Sequence, residues 1–394
     1  MSDTPQDSQP LSLFQPKFHG TAMGYFRIWI VNMLLTVLTL GIYSAWAKVR
    51  TMKYFMGATE LDESRFDFHG SPIAILTGRI LAIIFFAIYI ISGRINPYFA
   101  IVGALILFCI IPWIYVKSLR FKLAYTSFKN LRFTFRGKIK DAFALWLKYM
   151  GPMVLIWIAL TITMIYYGIN ENLKNKDAAA FAQGGVIPFV GLYLALISYW
   201  LFTVHRFVNA LFTFIYNNIF YGGQKLSFES TSKEIFKHIF KPFYKYFFLN
   251  IAAFIGLAIV STLLTKMVSK PLGTIILVSG SIAFYIAFIC ITLLTPYLTI
   301  KYVWSRIQVG SYRTKEFYDF KSFLKLSMTN FLAVGFSFGF LYPWAKVRMT
   351  KYLVEHRGIE INNFDHFVAD SQQRLSAIGE EVADTFDFDI EVGL

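Results

Sequence analysis

Residues 32 to 54 read NMLLTVLTLGIYSAWAKVRTMKY, and residues 330 to 352 read NFLAVGFSFGFLYPWAKVRMTKY. A constant offset of 298 carries Asn32 onto Asn330, Gly41 onto Gly339, Trp46 onto Trp344, Lys48 and Arg50 onto Lys346 and Arg348, and Tyr54 onto Tyr352. The correspondence reaches as far as Phe66-Asp67 and Phe364-Asp365. A repeat of this length implies one structural block used twice, and it has to be placed before any other element. Any topology must therefore treat two apolar legs, each followed by a basic WAKVR, in the same way.

Only 15% of the 394 residues are charged and 56% are hydrophobic, against a charged share of about 25% in soluble domains. The chain reads as an integral membrane protein. Six apolar runs, near 74 to 92, 98 to 116, 144 to 168, 186 to 204, 246 to 268 and 273 to 300, are each long enough for a hydrocarbon core of about 30 Å. They fall into three pairs with short or polar links at 92 to 97, 170 to 185 and 266 to 273. The links between pairs are basic: residues 117 to 148 hold Lys117, Arg120, Lys122, Lys129, Arg132, Arg136, Lys138, Lys140 and Lys148 against Asp141. Lys and Arg are retained on the cytoplasmic side, so these links face the cytoplasm and the links within pairs face outward. The same rule explains the net charge of +15, so no nucleic-acid partner is expected. Cys109 and Cys290 lie inside apolar runs and read as small buried side chains. Residues 1–13 have no Lys or Arg ahead of an apolar core and read as a disordered lead, not a cleaved signal.

If each terminal repeat were a plain span, one WAKVR would emerge outside. The preferred fold class is therefore an all-α polytopic membrane protein with six transmembrane helices in three pairs plus two re-entrant or shallow helical hairpins. The hairpins cover 21 to 57 and 321 to 356 and turn at Gly41 and Gly339; eight full spans is the alternative. Both termini then lie in the cytoplasm. Short alternating segments, Phe66-Asp-Phe-His-Gly70, Leu131-Arg-Phe-Thr-Phe-Arg-Gly137, Leu226-Ser-Phe-Glu229, Phe364-Asp-His-Phe367 and Phe18-His-Gly20, read as cytoplasmic β-like ties or aromatic interfacial loops. They divide residues 14–369, a single membrane domain, into units 14–70, 71–137, 138–229, 230–320 and 321–369, followed by an acidic tail over 370–394.

These motifs, TLGIYSAWAKVR and FGFLYPWAKVR with the FxFxG elements and the closing EEVADTFDFDIEVGL, resemble the bacterial YjgN family, domain of unknown function 898. The resemblance implies a bacterial inner-membrane location and no activity. The first copy departs from it with SAW where the second has the family-typical PW, which implies a less rigid turn before Trp46.

No acidic residue falls inside a predicted span, which argues against an ion-coupled carrier. The six histidines form no HExxH and have no cysteine partners, and no phosphate loop is present, so neither catalysis, metal nor cofactor is expected. What remains is a set of polar groups in the repeat. Asn32 and Asn330 are amides in apolar legs and need partners, either across helices or along a polar path. Lys48, Arg50, Lys346 and Arg348, with Trp46, Trp344, Tyr54 and Tyr352, form basic, aromatic patches that either snorkel to anionic headgroups or line the mouth of an anion-selective cavity. Two functions follow: uncoupled permeation or handling of a small anionic solute or lipid between the two copies, or a non-transporting scaffold that binds anionic lipid or partner proteins. The tail is either a solvated acidic segment or a latch on the basic links. No feature specifies an oligomeric state.

Overall fold

The computed structural model describes residues 11–173 and 186–382. The helices are α1 (Ala22–Leu38), α2 (Ser44–Gly57), α3 (Pro72–Ile95), α4 (Pro97–Ala124), α5 (Ile139–Leu173) and α6 (Val186–Tyr216), followed by α7 (Ser232–Met267), α8 (Lys270–Trp304), α9 (Phe320–Phe336), α10 (Tyr342–Glu355) and α11 (Phe364–Val382). Between them run eleven short strands: β1 (Ser12–Phe14), β2 (Lys17–Phe18), β3 (Thr59–Leu61), β4 (Ser64–Phe68), β5 (Thr126–Phe128), β6 (Leu131–Phe135), β7 (Ile219–Tyr221), β8 (Gln224–Phe228), β9 (Ile307–Val309), β10 (Tyr312–Glu316) and β11 (Arg357–Ile361).

Among the described residues, helices α3 to α8 are the six long and apolar enough to cross a membrane, and at most 17% of each hydrophobic window is buried. Ile83, Met164 and Phe202 are largely exposed, an arrangement that water would penalise and lipid would not. Their ends are set by local chemistry. The Asn96 carboxamide accepts from the Tyr98 N–H at 2.9 Å to open α4, the Ser269 hydroxyl accepts from the Leu272 N–H at the start of α8, and Thr231 and Glu234 form a reciprocal capping box on α7. One π turn, Phe236–Phe240, interrupts α7. Helix α8 comes close to α7 through small residues: the Ser261 hydroxyl donates to the Gly273 carbonyl at 2.7 Å, the close backbone approach that small residues permit inside a membrane.

The chain divides into two compact units. One comprises residues up to Arg27, Thr59–Asp62 and Phe228–Asn363; the other comprises Ile28–Ala58, Glu63–Ser227 and the segment from Phe364. In the second, α3 packs on α4 and α5 on α6, and strands β4, β5, β6, β7 and β8 pair in that order, antiparallel where their registers are defined. Phe66 faces Phe128, and Phe133 faces Tyr221. In the first unit α7 packs on α8, β1, β11, β10 and β9 are neighbours in that order, and β2 pairs with β3. The hairpin turns are two residues long: Lys129-Asn130 joins β5 to β6, and Gly222-Gly223 joins β7 to β8. Lys129 at φ 43 and Asn130 at φ 64 have the paired left-handed backbone that two-residue hairpins select, which suits Asn and Gly.

The last Phe of each alternating segment is a core residue. Phe68, Phe135 and Phe228 are almost fully buried. Gly70 and Gly137 follow two residues later because the Phe68 and Phe135 rings lie where a β-carbon would be, 2.4 and 2.6 Å from that position. A second ring closes each site from the other side, Phe121 at Gly70 and Phe214 at Gly137.

Three expectations are corrected. The chain is not all-α, because the basic links fold into paired strands whose main-chain groups satisfy one another. Phe364-Asp-His-Phe367 is no extended tie: it is the first turn of α11, which continues to Val382 through the stretch from Asp370 that reads as either a solvated acidic segment or a latch. The reason is burial. Phe364 sits edge-on to Phe128 at 5.8 Å, Phe367 stacks on Tyr221 at 5.9 Å, and Ser371 is fully buried, its carbonyl accepting from the Gly223 N–H at 2.9 Å. Lys129 pairs with Asp365 at 3.0 Å. Finally, Ser12 and Leu13, assigned to the lead, belong to β1, which pairs with β11; the rest of the lead, the outer loop at 174 to 185 and the tail beyond 382 lie outside the described residues.

Gly70→Ala and Gly137→Ala should each destabilise the protein by about 1–3 kcal/mol through overpacking against a buried ring, read as a lower melting temperature in detergent. The double variants with Phe68→Leu or Phe135→Leu should recover part of the loss.

Candidate functional site

The two copies of the repeat fold alike at the backbone. Helix α1 ends at Leu38 and α9 at Phe336, and the chain reverses through Thr39–Tyr43 and Ser337–Leu341. Leu40 at φ 50 and Gly41 at φ 95 match Phe338 at φ 49 and Gly339 at φ 91. The Gly41 N–H donates to the Thr36 carbonyl at 2.8 Å, and the Gly339 N–H to the Val334 carbonyl at 2.8 Å. This is the glycine-terminated helix end that satisfies carbonyls the helix leaves open. The next helix is tied in as well: the Thr39 hydroxyl accepts from the Tyr43 N–H at 2.9 Å, and the Ser337 hydroxyl from the Leu341 N–H at 2.9 Å. Ala45 and Pro343 therefore follow turns of the same shape. The tips are bare hydrocarbon, with Leu40 and Phe338 each 95% exposed and Leu38, Ile42, Phe336 and Phe340 exposed beside them.

Below the tips, the two amides hold the legs together. Asn32, buried on α1, donates to the Ala47 carbonyl at 3.4 Å, and Asn330, buried on α9, donates to the equivalent Ala345 carbonyl at 3.2 Å. The acceptor ends differ. The Asn330 Oδ1 accepts from Arg348 Nη1 at 3.1 Å, whereas Asn32 Oδ1 is buried without a hydrogen-bond partner. The cause is one residue: Arg50 donates to the Tyr43 hydroxyl at 2.8 Å, and the position of Tyr43 in the second copy is Leu341. With no phenol to compete for it, Arg348 turns to Asn330 and lies over the Trp344 ring at 4.3 Å. In the first copy Tyr43 itself stacks on Trp46, centroids 6.1 Å apart.

The lysines diverge too. Lys346 donates to the Tyr25 hydroxyl at 3.3 Å and lies over the Tyr25 and Tyr342 rings at 5.3 and 5.8 Å. Half-buried Lys48 has no hydrogen-bond or ion-pair partner among the described residues. Burial first, then the neighbouring cations Arg79 and Lys122, hold its ammonium below the ordinary lysine pKa. Arg79 reaches from α3 to donate to the Ser44 hydroxyl at the start of α2.

The tyrosines at the far ends serve packing. Tyr352 is buried, donates to the Asp319 carbonyl at 2.9 Å, accepts from the Asp319 N–H at 3.2 Å, and lies 4.2 Å from the His356 ring. Tyr54 is half-buried, edge-on to Phe55 at 5.4 Å. In the second copy the structure brings Trp344, Arg348 and Asn330 together; in the first Arg50 goes to Tyr43 instead, and the copies fall in different compact units. Sequence reasoning did not single out Tyr25, Tyr43 or Arg79, and placed Lys122 only among the basic links. The SAW-to-PW difference was visible, yet the residue that redirects Arg50 lies one position before it. Among the described residues no three His, Cys, Asp or Glu side chains come together as a metal site would need.

Replacing Arg348 by Met should leave the Asn330 acceptor buried and unpaired and cost about 1–3 kcal/mol. Arg50→Met should cost under about 0.5 kcal/mol, since its partner is at the surface. Thermal unfolding of the two variants in one detergent makes the comparison.

Residues 14–385 match the family DUF898, described as "Bacterial protein of unknown function". The chain is 26% identical to the inner membrane protein YjgN of Salmonella typhimurium over 369 residues, covering 87% of each chain. It is 27% identical to the YjgN proteins of two Escherichia coli strains over 177 residues, 44% of this chain and 43% of theirs, so it aligns with less than half the length of those relatives. No solved structure matches. With a match that runs from residue 14 to residue 385 and takes in all six apolar helices, the chain belongs to the DUF898 family, and the relatives it matches are named inner membrane proteins.

Proposed function

We propose that this is an inner-membrane protein that binds and handles anionic lipid, with its two terminal hairpins dipping into one leaflet and returning to the cytoplasmic face. The observation that carries this reading is the pairing, twice in one chain, of a fully exposed hydrocarbon tip with a basic, tryptophan-bearing second leg. A closed turn with its own hydrogen bonds satisfied can enter hydrocarbon, and Trp with Lys or Arg marks the headgroup level. On this reading both WAKVR copies and both termini are cytoplasmic, which agrees with the basic links. A crevice of about 270 Å³ lined by Pro112, Tyr115, Trp146, Phe207 and other largely apolar residues of α4, α5 and α6 has room for part of an acyl chain and no charged group in its lining. That favours lipid over a water-soluble anion as the molecule handled. A scaffold that holds lipid without moving it uses the same cations and tips, so binding and passage are separated by assay.

A polarity-sensitive fluorophore placed on a single cysteine at position 40 or 338, with Cys109 and Cys290 replaced by Ala, should emit as in hydrocarbon in nanodiscs and be quenched by spin-labelled acyl chains. Emission typical of water at both tips would overturn the reading. Transfer of labelled phosphatidylglycerol between leaflets of proteoliposomes would assign lipid movement; lipid-dependent stabilisation without transfer would assign the scaffold.

A further inference from the structure

Lys48, Arg79 and Lys122 come from three different helices, α2, α3 and α4. Ala45 and Val49 of α2, Ala74 and Ile75 of α3, and Phe121 of α4 form one buried cluster with Trp46 and Tyr125 against it. The three cations flank that cluster. Lys48 lies between Ala45 and Val49 in sequence, Arg79 is one helical turn beyond Ile75, and Lys122 follows Phe121. Ser44 and Lys48 are four residues apart and so share one side of α2, and Arg79 is anchored on Ser44. Lys48 and Arg79 are half-buried and Lys122 is exposed; like charges held near one another repel unless something negative joins them. Among the described residues none of the three has a carboxylate partner, although ion pairs are made elsewhere in this unit, as Lys129 makes with Asp365. The first turn of α2 adds its positive end at Ser44.

We infer that Lys48, Arg79 and Lys122 form a seat for the phosphoryl group of an anionic lipid headgroup, with Arg79 held in place by Ser44, whose own proton goes to the Gly41 carbonyl, in the first copy of the repeat and not in the second. This names the binding site for the headgroup reading above and rests on it. The second copy lacks the seat because Tyr342 stands where Ser44 does, and Lys346 is already engaged by Tyr25. The guanidinium supplies a forked donor for phosphate oxygens, and the two ammonium groups supply charge without fixed direction. The tip at Leu40 would place this seat beside inserted chain, where a lipid phosphate is available and a free one is scarce.

The test uses the full-length protein in detergent at constant ionic strength, titrated with phosphatidylglycerol in mixed micelles, with phosphatidylcholine, or with inorganic phosphate, and followed by thermal unfolding. Phosphatidylglycerol should raise the melting temperature of the wild type more than phosphatidylcholine does. Arg79→Gln and Lys122→Gln should each weaken that effect about tenfold in apparent affinity, the loss of one charge-assisted contact, while Lys346→Gln should not. In the absence of anion the Lys122→Gln variant should melt at or above the wild-type temperature, because repulsion is relieved; a merely structural lysine would give the opposite sign. A comparable response to inorganic phosphate would keep the phosphoryl seat and overturn the choice of lipid. Wild-type affinity in both Arg79→Gln and Lys122→Gln would overturn the seat itself, whatever the tip fluorescence shows about hairpin insertion.

Discussion

A chain that reverses direction at the end of an apolar helix must find partners for carbonyls that the helix no longer serves. Here the chain does it twice with the same parts: a glycine at positive φ whose N–H reaches back five residues, and a hydroxyl that receives the first N–H of the next leg. Everything proposed for the terminal hairpins depends on this closure, because a turn with open main-chain groups could not be buried in hydrocarbon at tolerable cost. With the groups closed, the exposed side chains Leu40 and Phe338 decide where the tip is stable.

The repeat is conserved as a backbone device and has diverged as chemistry. Tyr43 draws Arg50 outward and leaves one carboxamide oxygen buried without a partner; Leu341 leaves Arg348 free to satisfy its equivalent. Ser44 gives Arg79 an anchor where Tyr342 instead offers its ring to Lys346. Two substitutions in adjacent positions thus make one motif a structural knot in one unit and, in the other, leave Lys48 beside Arg79 with no carboxylate partner for either among the described residues.

The long helices and the paired hairpin turns are legible from residues alone, since an apolar run of about 20 residues and a Gly at a repeated position have few alternatives. The strands were legible only in part. Phe133 and Phe135 alternate as a strand does, but the alternation alone does not assign the pairing that the two-residue turns Lys129-Asn130 and Gly222-Gly223 pin. That signal was available: Asn or Gly pairs between aromatic alternations mark hairpins. Helix α11 was not legible, because its acidic residues dominate the composition while the contacts that hold it are spaced singly at Phe364, Phe367 and Ser371. The unpartnered state of Lys48 depends on Arg79 and Lys122, which approach through tertiary packing and leave no mark in local pattern.

Strand β11 closes on β1 from the opposite end of the chain, and α11 roofs strands made more than a hundred residues earlier, with its Ser371 carbonyl set on the Gly222-Gly223 turn. Neither unit can therefore finish as it emerges from the ribosome. The early strands must wait with an aromatic face uncovered until residues 357 to 371 have been made. Quality control that senses such a face would act on this protein late in its synthesis, and a nonsense codon near residue 360 would leave all six apolar helices inserted yet both units incomplete.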